Sequence, residues 1–331
     1  MLKNIFLLLF SLLATAELAV RITKLDYLLM QPLLYYQDSD LSVQEVSPNP
    51  ERLYQLKPGA TTSTMQYSHS ASINGLGFRG TEHAATKPPG VTRIICFGGS
   101  TTYGAFVDDN GTFPYYLEKI LNRHYRGKFE VWNAGICAYV LSAEVAYARE
   151  TLQKFEPDIL IFQHANQGRR AFHLGAPYAH FFRANPQLYR ENLRFMPFPK
   201  SEPAFWLLRH SAAYRASVVL ANCFLFVRQN NPQYNGDDYN HAAFASFYTE
   251  YAGRVPIFIL PLKMIQDYPS PQFSEMVKKT GVPLLELFDQ NSLPPNAGSE
   301  YYMVHPPAHV YEWYGRAIAG KLETRGLVKR K

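Results

Sequence analysis

In the run Arg93-Ile94-Ile95-Cys96-Phe97-Gly98-Gly99-Ser100-Thr101-Thr102-Tyr103-Gly104, a β-favouring apolar stretch leads into two glycines and a polar cluster. The apolar residues read as a buried strand, the glycines as a sharp turn, and the polar cluster as the start of a helix. A hydroxyl at Ser100 is then exposed at the carboxyl end of a strand, beside backbone N–H groups that no helical carbonyl satisfies. That setting suits a nucleophile whose product is an oxyanion. The competing reading is a glycine turn with an incidental serine, since such turns after strands are common.

Two other loops share these letters. Gly99 and Gly104 have the spacing of a phosphate-binding loop, but Ala105-Phe106 stand where Lys and Ser/Thr are required, so no charge meets the phosphates. A G-x-S-x-G elbow also fails, because Thr102 occupies the second glycine position. A phosphate-binding enzyme is therefore a weak alternative.

The 331 residues fit one large domain or two small ones, and the composition is that of a globular chain. A net charge of +6 without a dense Lys/Arg tract gives no support to nucleic-acid binding. The basic Lys329-Arg330-Lys331 tail reads as a solvated terminus. The three cysteines, Cys96, Cys137 and Cys223, fall in or beside apolar segments and read as buried free thiols. No C-x-x-C or paired-histidine spacing points to a metal, and no cofactor is expected.

Residues 1–22 begin with one lysine and continue as an apolar run from Ile5 to Ala16, extendable through Val20 to Arg21 if Glu17 is tolerated near one interface. Ala14-Thr15-Ala16 also offers a signal-peptidase site, so a membrane anchor and a cleaved signal are both open, the anchor being favoured. Either reading puts the remaining chain outside the cytoplasm. Residues 23–69 are mixed apolar, polar and Pro-containing, and are read as a stalk and irregular lead-in. Lys87-Pro88-Pro89-Gly90 breaks structure before the first core strand.

From there strands alternate with helical stretches. Arg93 to Phe97, Phe129 to Asn133, Asp158 to Gln163, Val255 to Leu260 and Val282 to Leu287 are near-continuous apolar runs, with amphipathic segments between them. Such strands belong to a parallel sheet covered on both faces. The expected fold is a three-layer α/β/α doubly wound domain over residues 70–331 with a five-stranded parallel sheet. It carries an aromatic-rich helical insertion at about 169–240, and its ligand chemistry sits at the carboxyl ends of the strands.

Three of those ends carry polar or glycine residues: Ser100, then Asn133-Ala134-Gly135, then His164-Ala165-Asn166-Gln167. The N–H groups of Ser100 and Gly135 with the Asn166 amide would aim three donors at an oxyanion. A serine hydroxyl also needs a base. Among ten histidines, His305 stands apart because it follows the last strand and immediately precedes Pro306-Pro307, which pre-set the closing helix.

The ordered set Gly98-Gly99-Ser100, Gly135, Ala165-Asn166 and His305-Pro306 resembles the SGNH (GDSL-type) hydrolase superfamily, over roughly residues 70 to 325. The flanking Ile73-Asn74-Gly75-Leu76-Gly77-Phe78-Arg79-Gly80 and Val107-Asp108-Asp109 share in it, and the apolar amino terminus is similar to the membrane-anchored bacterial members. The resemblance implies Ser100 as nucleophile and His305 as general base, with an oxyanion hole of Ser100, Gly135 and Asn166. It implies acyl transfer from an ester, often acetyl, through an acyl-serine intermediate without metal or cofactor. An envelope carbohydrate or small-molecule ester is the expected substrate, and a periplasmic location follows for the domain.

Gly99, His164 and Gln167 depart from the family's blocks, and Tyr302 stands where its orienting aspartate is usual. Three alternatives stay open: a backbone carbonyl orients His305, Glu300 or Asp289 supplies the carboxylate, or the activity is lost and a binding or scaffold protein keeps the fold. Arg169-Arg170 could recognise an acidic substrate or form a solvated turn.

Overall fold

A computed structural model describes residues 2–26, 43–49, 52, 54–64, 69–137, 139–164, 203, 206, 207, 210–225, 236–262, 269–288 and 293–331. The amino-terminal apolar run is one helix, α1 (Leu2–Thr23). Two antiparallel pairs follow, β1 (Gln44–Val46) with β2 (Tyr54–Leu56), and β3 (Thr61–Thr64) with β4 (His69–Ser72).

The central sheet comprises β5 (Val91–Gly98), β6 (Lys128–Gly135), β7 (Ile159–His164) and β8 (Ile257–Pro261). All its pairings are parallel, and the spatial order is β6-β5-β7-β8. The chain leaves β5 toward β6 and leaves β7 toward β8, so its winding reverses between β5 and β7. In a doubly wound sheet that reversal opens a crevice at the carboxyl edge. Ser100 follows β5 at that edge.

The helices after β5 are α2 (Ser100–Tyr103), α3 (Phe113–His124), α4 (Leu141–Phe155), α5 (Ala212–Leu225), α6 (Gly236–Tyr251), α7 (Pro271–Thr280) and α8 (Ala308–Thr324). Strand side chains alternate between faces, as the pleat requires. Ile95, Phe97, Leu160, Phe162 and Ile259 pack with α4, α6 and α7 through Leu141, Tyr147, Phe244, Phe247 and Phe273. Ile94, Cys96, Ile161 and Leu260 pack with α3 and α8 through Phe113, Leu117, Tyr311, Tyr314 and Ile318. This is the expected three-layer α/β/α arrangement. Each buried aliphatic or aromatic side chain contributes about 1.5–3 kcal/mol, so the sheet is the rigid part that fixes its own rim.

The expected fifth strand is reduced to one bridge. Leu284 pairs in parallel with Ile259, through Ile259 N–H to Pro283 O at 3.1 Å and Leu285 N–H to Ile259 O at 2.7 Å. Pro283 has no N–H to extend the ladder. The opposite edge, β6, is closed by side chains. The Asn122 amide bonds both Phe129 N–H and Phe129 O, and Glu118 accepts from Val131 N–H at 2.7 Å.

Part of the segment read as a stalk is instead domain. Val43, Tyr54 and Leu56 are buried in the same core cluster as Phe97 and Phe162, and Tyr54 Oη donates to Cys137 O at 2.7 Å. Alternation at Tyr54 and Leu56 turns both inward, a period too short in a three-residue strand to stand out in the sequence. Cys96 and Cys137 are buried and neither forms a disulfide. Most of the 169–240 insertion lies outside the described residues; residues 203, 206, 207, 210 and 211, α5 and the start of α6 are its described parts.

Candidate active site

The residues after β5 form a short helical turn, α2, packed down onto the strand ends. A Cβ on Gly98 would collide with the Thr102 side chain, and one on Gly135 would collide with the Thr102–Tyr103 backbone. Glycine at both positions lets the turn approach β5 and β6 closely.

Arg79 holds the other end of that turn. It is 4% exposed, and its five N–H donors are all placed. Nη1 donates to Tyr103 O and Gly104 O, each at 2.7 Å. Nη2 donates to Val107 O at 2.6 Å and Ser70 O at 3.1 Å, and Nε donates to Asp109 Oδ1 at 2.9 Å. The guanidinium also lies 4.4 Å from the Tyr103 ring centroid. Asn74 prepares this: its Oδ1 accepts from Leu76 N–H and Phe78 N–H, closing the loop that delivers Arg79. The glycine-punctuated Ile73–Gly80 stretch is therefore a support for the Ser100 turn.

His305 comes from the far end of the chain. Pro306 and Pro307 precede α8, and the loop before them is tied to α2 by Thr101 Oγ1 donating to Val304 O at 2.7 Å. His305 Nε2 lies 2.7 Å from Ser100 Oγ, between residues 205 positions apart in sequence. Both side chains are half-buried. Burial holds the His305 pKa below its ordinary 6.5, so the ring is neutral at pH 7 and can accept a proton. Phe106 tilts over the imidazole at 4.9 Å between centroids. Phe106, Tyr302, Met303 and Val304 are exposed, giving the pair an apolar rim.

Two expected site residues have other partners in the structure. Gly135 N–H donates to Asn133 Oδ1 at 3.0 Å within β6. Glu300 turns toward His309, with Oε1 3.8 Å from His309 Nε2. Among the described residues the histidines with a carboxylate at ion-pair distance are His69, His83 and His309, and His305 is not one of them. Asn166, Gln167, Arg169, Arg170 and Asp289 lie outside the described residues. Among the described residues no cluster of three or more His, Cys, Asp or Glu could hold a metal ion.

A second polar pair sits one strand over. His164, the last residue of β7, has Nε2 2.9 Å from His241 Nε2 of α6, and both are buried. Burial, with His241 adding to it, holds His164 well below the usual histidine range. Phe273 covers His164 at 4.1 Å between ring centroids. The sequence flagged His164 only as a departure from a motif, and no local signal marked His241.

No family model matches the chain, and no curated protein is similar to it. Among solved structures it is similar to TesA, with 11% identity, 70% of this chain and 99% of that one covered, and a TM-score of 0.39. It is also similar to a catalytic mutant of Axe2, an acetylxylan esterase from Geobacillus stearothermophilus, at 13% identity, 70% and 94% coverage and a TM-score of 0.38. A member of the lipolytic protein G-D-S-L family from Veillonella parvula DSM 2008 gives 11% identity, 71% and 99% coverage and a TM-score of 0.37. At this level of likeness the Ser100–His305 geometry, not the similarity, carries the functional case. The solved structures to which the chain is similar include lipolytic G-D-S-L proteins and an acetylxylan esterase.

Proposed function

We propose that the chain is a membrane-anchored serine ester hydrolase or O-acyltransferase of SGNH type. Residues 1–22 are its anchor, and the catalytic domain with its 169–240 insertion lies on the extracytoplasmic side. The observation that carries this reading is the 2.7 Å contact between Ser100 Oγ and His305 Nε2 at the carboxyl edge of a parallel sheet.

The chemistry follows from those two groups. Ser100 Oγ attacks the ester carbonyl carbon while its proton passes to His305 Nε2. The carbonyl oxygen becomes an oxyanion, stabilised by donors at the rim; Ser100 N–H and the Asn166 amide fill that role. Collapse breaks the ester C–O bond, and the leaving alkoxide takes the proton from His305. Water or an acceptor hydroxyl then attacks the acyl-serine, giving hydrolysis or transfer by the same route. The apolar rim of Phe106, Tyr302, Met303 and Val304 suits an acyl ester, acetyl or longer, on an envelope carbohydrate or a small molecule. Arg169 and Arg170 remain candidates for meeting an acidic group on that substrate.

A fluorophosphonate probe tests the reading. Ser100 in the wild-type chain becomes labelled, and labelling is lost in both Ser100→Ala and His305→Ala. A folded wild type that takes no label is a binding or scaffold protein instead.

A further inference from the structure

Glu17 interrupts an otherwise apolar helix, and its partners lie in the insertion nearly two hundred residues away. Glu17 Oε1 accepts from Ala212 N–H at 3.0 Å, and Oε2 accepts from Ala213 N–H at 2.9 Å and Ser211 Oγ at 2.7 Å. The carboxylate thus caps α5, satisfying amides that have no intrahelical partner. Arg21 completes the latch: Nε donates to Glu17 Oε1 and Nη2 donates to His210 O, each at 2.6 Å. Farther on, Arg215 Nε donates to the buried Asp26 Oδ2 at 2.9 Å.

The latch sets a depth. Lys3–Thr23 is a 21-residue apolar stretch of mean hydropathy 2.1, and Ile5 through Phe10 stand exposed along it. At about 1.5 Å per residue it covers about 31 Å, the thickness of a bilayer's hydrocarbon core. Arg21 falls at one end of that span, and the bond to His210 O holds the segment before α5 at the same level. That segment carries Trp206, 59% exposed, its ring 4.7 Å from the His210 ring, and the exposed Leu207. The chain's other tryptophans are Trp132, which is buried, and Trp313, which is half-buried. An exposed indole beside the end of a spanning helix matches the position where tryptophan concentrates in membrane proteins, its apolar body among acyl chains and its N–H toward the headgroups.

We infer that Trp206 and Leu207 form a second membrane contact, seated in the interfacial layer of the bilayer by the Glu17–Arg21 latch. The inference rests on α1 being a membrane anchor. Two contacts hold the domain at a fixed tilt, where a single helix would let it swing, and the second adds avidity because the first keeps it near the surface.

The full-length chain in vesicles of phosphatidylethanolamine and phosphatidylglycerol, with bromine on the acyl chains near the glycerol, tests this. Bromine quenches the wild-type tryptophan emission, and most of that quenching is lost in Trp206→Phe. Glu17→Ala still sediments with the vesicles but loses the Trp206 quenching, because the segment is no longer held at depth. Equal quenching in wild type and Trp206→Phe, with both vesicle-bound, overturns the second contact and leaves the anchor standing. Full quenching in Glu17→Ala overturns the latch. A wild-type chain that does not sediment with vesicles removes the anchor reading and this inference together.

Discussion

Two hydrogen-bonded pairs sit at the carboxyl ends of neighbouring strands, and they differ in almost everything but length. Ser100–His305 follows β5 at 2.7 Å, and His164–His241 closes β7 at 2.9 Å. The first is half-buried under an exposed apolar rim; His164 and His241 are 2% and 4% exposed, and Phe273 packs on His164. The first joins a hydroxyl to a base, the pairing that the proposed acyl transfer uses to take the proton from Ser100 Oγ. The second joins two imidazoles, of which one donates and the other accepts, and neither is a substrate-facing nucleophile. A short bond between titratable groups is therefore no mark of a reactive centre. Access and the pairing of a weak acid with a base separate the centre from the brace.

Substitution separates the two pairs most sharply. Ser100→Ala and His305→Ala should each lower turnover of an activated acetyl ester on the order of 10⁶-fold, with thermal midpoints little changed. His164→Ala should do the reverse. It should cost about 2–4 kcal/mol in urea unfolding, from the cavity and the lost bond to His241, while the folded protein still labels at Ser100. Loss of labelling in folded His164→Ala would break the distinction. Arg79 belongs to the Ser100 side. Arg79→Ala removes the ion pair with Asp109 and the donors to four carbonyls, and is expected to cost about 3–5 kcal/mol. Arg79→Lys keeps the charge but not the five-donor fork, so it should recover only part of that stability and of the labelling rate.

The sheet was legible in the sequence because each central strand is a run of apolar residues bounded by glycine, proline or polar turns. Ser100 was legible because its glycines mark the turn, and His305 because two prolines mark the helix that follows. The roles of Gly135 and Glu300 were not. A glycine serves equally to admit a neighbouring backbone or to offer its own N–H, and the local sequence shows neither the close approach of Thr102–Tyr103 nor the bond to Asn133 Oδ1. Glu300 is close to His305 in sequence, but the 3₁₀ turn Ser299–Tyr302 directs it toward His309. The fifth strand failed at Pro283, whose missing N–H weighs more than the apolar run around it. His241 and Arg79 act across long sequence separations, where local pattern carries no information.

Acid titration reads the same contrast at smaller amplitude. Burial lowers both His305 and His164 below the ordinary 6.5, His164 by far the more. Below pH 6.5 the unfolded chain takes up protons that these folded rings refuse. The stability tied to each ring is therefore intact above 6.5 and is lost as pH falls toward its folded value, at about 1.4 kcal/mol per pH unit per histidine. His83, also lowered by burial, adds the same background in every variant. Urea midpoints measured across this range should fall below pH 6.5 in the wild type, and His164→Gln should flatten the curve over a wider interval than His305→Ala. Ser100 labelling needs neutral His305, so its rate should hold constant through pH 6.5 and drop only at lower pH. If His305→Ala flattened the stability curve more than His164→Gln, the imidazole beside Ser100 would be the more deeply shielded of the two, and the open rim above it would not be the entrance for an ester.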